Sequence, residues 1–192
     1  SDVFKMLQEI SNLRNQTRWS TLCYNVECSV LGHLFDTAIF AYLIAITLPP
    51  ERTENFEPDF ASRMFFMGIW HDVAETWTKD IPSPIKDKIA GFRSATECYE
   101  IDQVKKHVYA VLPDYMVPDL KRVMLEEEGN EEYKVLLKEA DYLSGDSECY
   151  RNLLAGSRDP EFVKVITRKR NFTSQLCYDA HNVIKKYSQK VK

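Results

Sequence analysis

Residues 38–48 read AIFAYLIAITL, the longest apolar run in the chain, and Pro49–Pro50 stop it. A membrane span needs about 20 apolar residues, so a run of this length predicts a helix covered by other elements. Extended upstream, it gives a long, mostly apolar helix over about 28–47, ended by the prolines. A chain organised around such a helix must supply further amphipathic segments to cover it.

The sequence supplies them. Phe4, Leu7 and Ile10 mark a short amphipathic first helix. Asp59 can cap a helix over about 60–72, and Ser94 and Glu97 have capping-box spacing for one running to about 112. Pro118 opens a helix to about 127. Gly129 and Asn130 separate it from a helix over about 131–155, which Gly156 ends. Asp159–Pro160 opens the last, to about 187. Pro82, Pro84 and Gly91 mark a turn-rich crossover with one short helix. With only six glycines and little alternation of apolar and polar residues, no strand is expected. The prediction is an all-α fold of about seven or eight helices, one domain over 1–192.

Apolar residues make up 44% of the 192 residues and charged residues 28%, an ordinary globular balance. A net charge of −4 gives no electrostatic case for a nucleic-acid polymer or a membrane surface as partner. The basic stretches TRKRN and KKYSQKVK read as solvated helix faces or a tail. Five cysteines form no CxxC pair and leave an odd count. The expectation is free thiols in a reducing cytoplasm and no thiolate zinc site. No secretory signal is visible.

Three of the helices carry ligand-type residues where apolar side chains are expected. His33 shares a face with Val30, Thr37 and Phe40; alone, it reads as a hydrogen-bonded core histidine. Asp141, in YKVLLKEADYLSGD, has Leu137, Ala140 and Ser144 as helical neighbours, while Lys138 and Glu139 point elsewhere. A carboxylate on a packed stripe needs a cation or several donors, so either a metal or a bridge to an arginine or helix N-terminus accounts for it. His71–Asp72 follows the apolar stretch FFMGIW, and Glu75 lies one turn on, toward the same side. Two imidazoles and two carboxylates suit Mn, Fe, Co, Zn or Mg with positions open for water and a phosphate oxygen. Spacing alone leaves open whether they meet. No HExxH, glycine-rich phosphate loop or nucleophilic Ser or Cys motif is present.

The order His33, His71–Asp72, Asp141 resembles the HD-domain metal-dependent phosphohydrolases, and among them the bacterial 5′-deoxynucleotidases. NQTRWS places Arg18–Trp19 about fifteen residues before His33. HDVAETWTKDIPSPIK is similar to that group's HD-x-x-E-x-x-x-x-D-x-P-x-P-x-K segment, and KEADYLSGDSECYRNLLAG to its helix bearing the last metal Asp. The likeness covers about residues 4–165. One departure stands out: the group usually has Glu directly before the first His, whereas this chain reads Leu31–Gly32–His33, with Glu27 further upstream.

The resemblance implies an HD-domain bundle in which His33, His71, Asp72 and Asp141 hold one divalent ion. It implies Glu75, with Asp72, in the chemistry, Glu75 orienting water or moving its proton. It also implies Arg18 on the phosphate, Trp19 stacked on a base or walling the pocket, and Asp80 either hydrogen-bonding the sugar or positioning a second acidic contact. Without the resemblance, Arg18 reads as a surface arginine, Trp19 as core packing and Asp80 as a turn residue. Lys86 and Thr78 receive no role, and His107 and His181 read as structural or exposed. The expected activity is hydrolysis of a (deoxy)nucleoside 5′-monophosphate. Another nucleotide or small phosphate ester, or a non-catalytic nucleotide-sensing module, are the competing readings. An exposed apolar helix could support a homodimer, as the resemblance suggests.

Overall fold

The computed structural model describes residues 2–79, 81, 86, 88–124 and 131–191. Its α-helices are α1 (Asp2–Ser11), α2 (Val30–Thr47), α3 (Pro50–Thr53), α4 (Phe60–Trp70), α5 (Glu75–Thr78), α6 (Phe92–His107), α7 (Val117–Val123), α8 (Glu131–Leu154), α9 (Pro160–Thr167) and α10 (Gln175–Ser188). Helices α3 and α5 are single turns. No strand occurs among the described residues; the only β pairing there is an isolated bridge between Thr17 and Ser29. The expected all-α bundle is the fold observed.

Helix α2 is central. Ser29 caps it by accepting from the Gly32 N–H at 3.0 Å. With 18 residues and a mean hydropathy of 1.7, it is long and apolar enough to cross a membrane by length and composition. In this fold it is a core helix, burying Leu34, Ala38, Ala41 and Ile44 against α4 and α8. Ala41, Ile44, Met64, Met67, Leu136 and Ala140 share one cluster with Cys177 of α10. Each large apolar side chain so buried is worth about 1.5–3 kcal/mol. Helices α2 and α4 touch backbone to backbone at Gly68, where a Cβ would stand 2.4 Å from the Ala38 Cα. That approach needs glycine, and it brings the end of α4 close to the start of α2.

Several expected boundaries move. The last helix is two, α9 and α10, because Glu139 draws the intervening chain inward. Its carboxylate is buried and accepts from the Thr173 N–H at 2.6 Å, the Thr173 hydroxyl at 2.7 Å and the Ser174 N–H at 3.0 Å. Ser174 then caps α10. Glu139 therefore does not point away from the core, as its position in the sequence suggests. Asp59 makes no capping bond; Arg122 of α7 takes its carboxylate at 2.8 and 2.9 Å. Ser94 lies inside α6, which Gly91 opens at φ +76. Helix α6 ends at His107, short of the expected 112. Asp159 does cap α9, accepting from the Glu161 N–H at 3.0 Å, and Gly156 ends α8 at φ +88. All five cysteines are free thiols.

Candidate active site

Three helices deliver the ligand-type residues to one place. His33 lies in the first turn of α2 and is 1% exposed. His71 is the C-cap of α4, with Asp72 in the turn after it. Asp141 projects from α8. Nε2 of His33 lies 3.2 Å from Asp141 Oδ1 and 3.9 Å from Asp72 Oδ2, and Nε2 of His71 lies 3.1 Å from the same Asp72 oxygen. Ligand atoms of His33, His71 and Asp72 all fall within 4.8 Å of one another.

The hydrogen bonds fix which ring nitrogens face the cluster. His71 Nδ1 is 2.8 Å from the Gly68 carbonyl. A carbonyl only accepts, so Nδ1 carries the proton and Nε2 presents its lone pair. His33 Nδ1 lies 3.0 Å from Ser144 Oγ and 3.3 Å from Glu148 Oε1; against an ionised carboxylate it too is the donor. Both Nε2 atoms are buried without an aligned hydrogen bond and lie beside carboxylate oxygens, so a proton or a cation must stand between each nitrogen and its neighbour. Bond lengths of about 2.0–2.2 Å to one ion set neighbouring ligands about 3 Å apart, so the residues fit a single divalent ion.

Electrostatics agree. Burial opposes ionisation of Asp72, yet the two histidines hold its pKa below the usual carboxylate range. Burial likewise opposes ionisation of Asp141, and His33, Lys138 and His71 outweigh it. Burial and Arg18 push the His33 pKa down, but Asp141 and Glu148 prevail and raise it to about 9. Lys138 bends back along α8 to meet Asp141 Oδ2 at 2.6 Å, where the sequence placed it on another face.

The Arg18–Trp19 segment is held over α8. Oε2 of the fully buried Glu148 accepts from Arg18 Nε at 3.1 Å and from the Trp19 indole N–H at 2.8 Å. Trp19 sits at φ +61, a left-handed conformation uncommon for a bulky residue, and packs edge-on against Phe162. Glu75 is buried at the start of α5. Asp80 lies outside the described residues. Lys86 pairs with Glu100 at 3.2 Å, Thr78 bonds the Ala74 carbonyl, His107 stacks on Trp77, and His181 is buried against Asp146. A cavity of about 570 Å³ borders His71, walled by Trp70, Ile101, Val104 and Met124 with Glu97 and Lys105.

Sequence reasoning missed Glu148. The signal was its spacing of two helical turns from Asp141, with Ser144 between, on a face already marked as packed. Glu27, the upstream acid near the Gly32 departure, does not reach His33; its carboxylate accepts from the Thr17 hydroxyl at 2.7 Å.

A helical bundle that gathers His, His–Asp and Asp from three helices defines the HD-domain class. The fold is similar to that of an HD-domain phosphohydrolase from Listeria innocua, with a TM-score of 0.68 at 18% identity over 98% of this chain and 82% of that one. It is also similar to a Pyrococcus horikoshii protein, with a TM-score of 0.67 at 21% identity over 95% and 98%. Within that class, the chain belongs to the YfbR-like 5′-deoxynucleotidase family, whose pattern it matches over residues 5–187. A 5′-deoxynucleotidase of Yersinia pseudotuberculosis is 30% identical over 84% of this chain and 79% of its own length. One from Yersinia pestis is 30% identical over 83% and 78%. Membership makes the chain a metal-dependent phosphohydrolase.

Proposed function

We propose that this protein removes phosphate from (deoxy)nucleoside 5′-monophosphates at the His33–His71–Asp72–Asp141 cluster. The observation that carries the reading is the pair of buried Nε2 atoms, neither of them in an aligned hydrogen bond, lying 3.1 and 3.2 Å from carboxylate oxygens. The four residues hold one divalent ion. Two imidazole nitrogens favour a first-row transition ion over magnesium. When bound, the ion supplies positive charge against the phosphate oxygens and acidifies water.

The chain's own residues do the rest. Arg18 pairs with the phosphate, for which a guanidinium fork is suited. Glu75, buried one turn beyond Asp72, orients the attacking water and accepts its proton. Trp19 walls the nucleotide, and Asp80 contacts the sugar. Of the cluster residues, only His71 lines the cavity of about 570 Å³; Arg18 and Trp19 do not line it.

Phe35, Ile39, Tyr42 and Ile46 form an exposed apolar stripe along α2 at coiled-coil-like spacing. A second copy of the chain, meeting this stripe with its own, buries it in a homodimer with an isologous interface.

The test is a panel of deoxynucleoside and ribonucleoside monophosphates and deoxynucleoside triphosphates, with released phosphate measured after supplying Mn²⁺, Co²⁺ or Mg²⁺. Turnover of the monophosphates supports the reading. Turnover confined to triphosphates, or none with any metal, overturns it.

A further inference from the structure

We propose that Glu148 is a positioning residue that fastens the metal cluster to the Arg18–Trp19 loop, so that one buried carboxylate serves both the ligand His33 and the phosphate-binding arginine. This rests on the reading of His33 as a metal ligand and Arg18 as a phosphate contact.

Glu148 lies on α8, two turns beyond Asp141, and is 0% exposed. A carboxylate so placed is stable only with several donors around it. Its neighbours come from two functional parts of the site. Oε2 accepts from Arg18 Nε and the Trp19 indole N–H, while Oε1 makes no hydrogen bond but lies 3.3 Å from His33 Nδ1, an ion-pair contact beside that nitrogen's 3.0 Å contact with Ser144 Oγ. A ligand histidine whose other nitrogen meets a carboxylate has its tautomer and ring orientation set, and such partners tune metal affinity. The same anion orients the Arg18 guanidinium through Nε.

The loop has independent reasons to need an anchor. Trp19 is held at φ +61, a strained conformation for a bulky residue that persists only where its surroundings impose it. One turn further along α8, Asn152 Oδ1 accepts from the Asn25 and Val26 N–H groups at 2.8 and 2.9 Å. Helix α8 therefore grips this loop at two successive turns, and only the Glu148 grip also reaches a metal ligand.

The experiment compares wild type, Glu148→Gln, Arg18→Ala and the double variant as full chains. Folding is checked by circular dichroism and thermal melting. Mn²⁺ affinity of the chelator-stripped protein is measured by calorimetry, and KM and kcat on the best monophosphate. Glu148→Gln is expected to weaken Mn²⁺ binding about 10–100-fold and to raise KM. Arg18→Ala raises KM and leaves Mn²⁺ affinity unchanged. The double variant matches Arg18→Ala in KM and Glu148→Gln in metal affinity, because the two residues act on phosphate as one unit.

A folded Glu148→Gln protein altered in only one of the two measurements, or in neither, overturns the proposal. Should Glu148→Gln not fold, Glu148→Asp takes its place: it keeps the charge but is one methylene too short to span both partners, and must impair both. A wild type that binds no divalent ion would contradict the metal-site assignment itself, which is a separate failure.

Discussion

His33 Nε2 and Asp141 Oδ1 stand 3.2 Å apart although they belong to helices far apart in the chain. Their meeting depends on α2 packing against both α4 and α8. The backbone contact at Gly68 and Ala38 fixes one side of that arrangement.

Gly68→Ala should therefore damage fold and site together. The new Cβ meets backbone, not a movable side chain, so α2 and α4 must separate. The expected loss is about 1–3 kcal/mol of stability. Metal affinity also weakens, since His71 hangs on the Gly68 carbonyl. Denaturant unfolding and calorimetry on the same preparation check both.

Asp72→Ala and His71→Ala should abolish turnover, by at least about a thousandfold, with the helical spectrum retained. Each removes one proposed ligand of the ion from a partly exposed position and leaves the core clusters intact. Arg18→Ala should chiefly raise KM, by about tenfold or more, through the lost phosphate contact. Steady-state kinetics distinguish the two patterns.

Metal binding should depend on pH through His33. In the metal-free protein its pKa is raised to about 9, so at neutral pH a proton occupies the group the ion requires. Apparent affinity should rise about tenfold per pH unit and level off above about 9. The sign is opposite for stability without metal. A raised histidine pKa stabilises the fold below the ordinary value of 6.5, and the contribution fades as the pH climbs through about 9. Metal titrations between pH 6 and 10 read the first effect, and thermal melts of stripped protein the second.

The α2 stripe should hold two copies together. Ile46 is 53% exposed and Phe35 54%. Ile46→Glu should shift the protein from dimer to monomer in light scattering without lowering its helical content.

The amphipathic and apolar periodicities of α2, α4 and α8 were legible because each helix buries a contiguous face and is stopped by local chemistry. The break between α9 and α10 was not, because Glu139 imposes it from another helix. Asp59 misleads for the same reason: its local capping role is replaced by Arg122. The motif residues could be marked in sequence because carboxylates and histidines are conspicuous at apolar positions. Glu148 was not conspicuous. A glutamate on a helix ordinarily faces water, and the donors that keep this one buried come from a loop before α2.

The account turns on a single ion shared by His33, His71, Asp72 and Asp141. Anomalous diffraction from crystals grown with Co²⁺ or Mn²⁺ tests it most directly. It predicts one strong peak bonded to both Nε2 atoms and to an oxygen of each aspartate. A peak elsewhere in the fold, or one that leaves Asp141 unbonded, would contradict it.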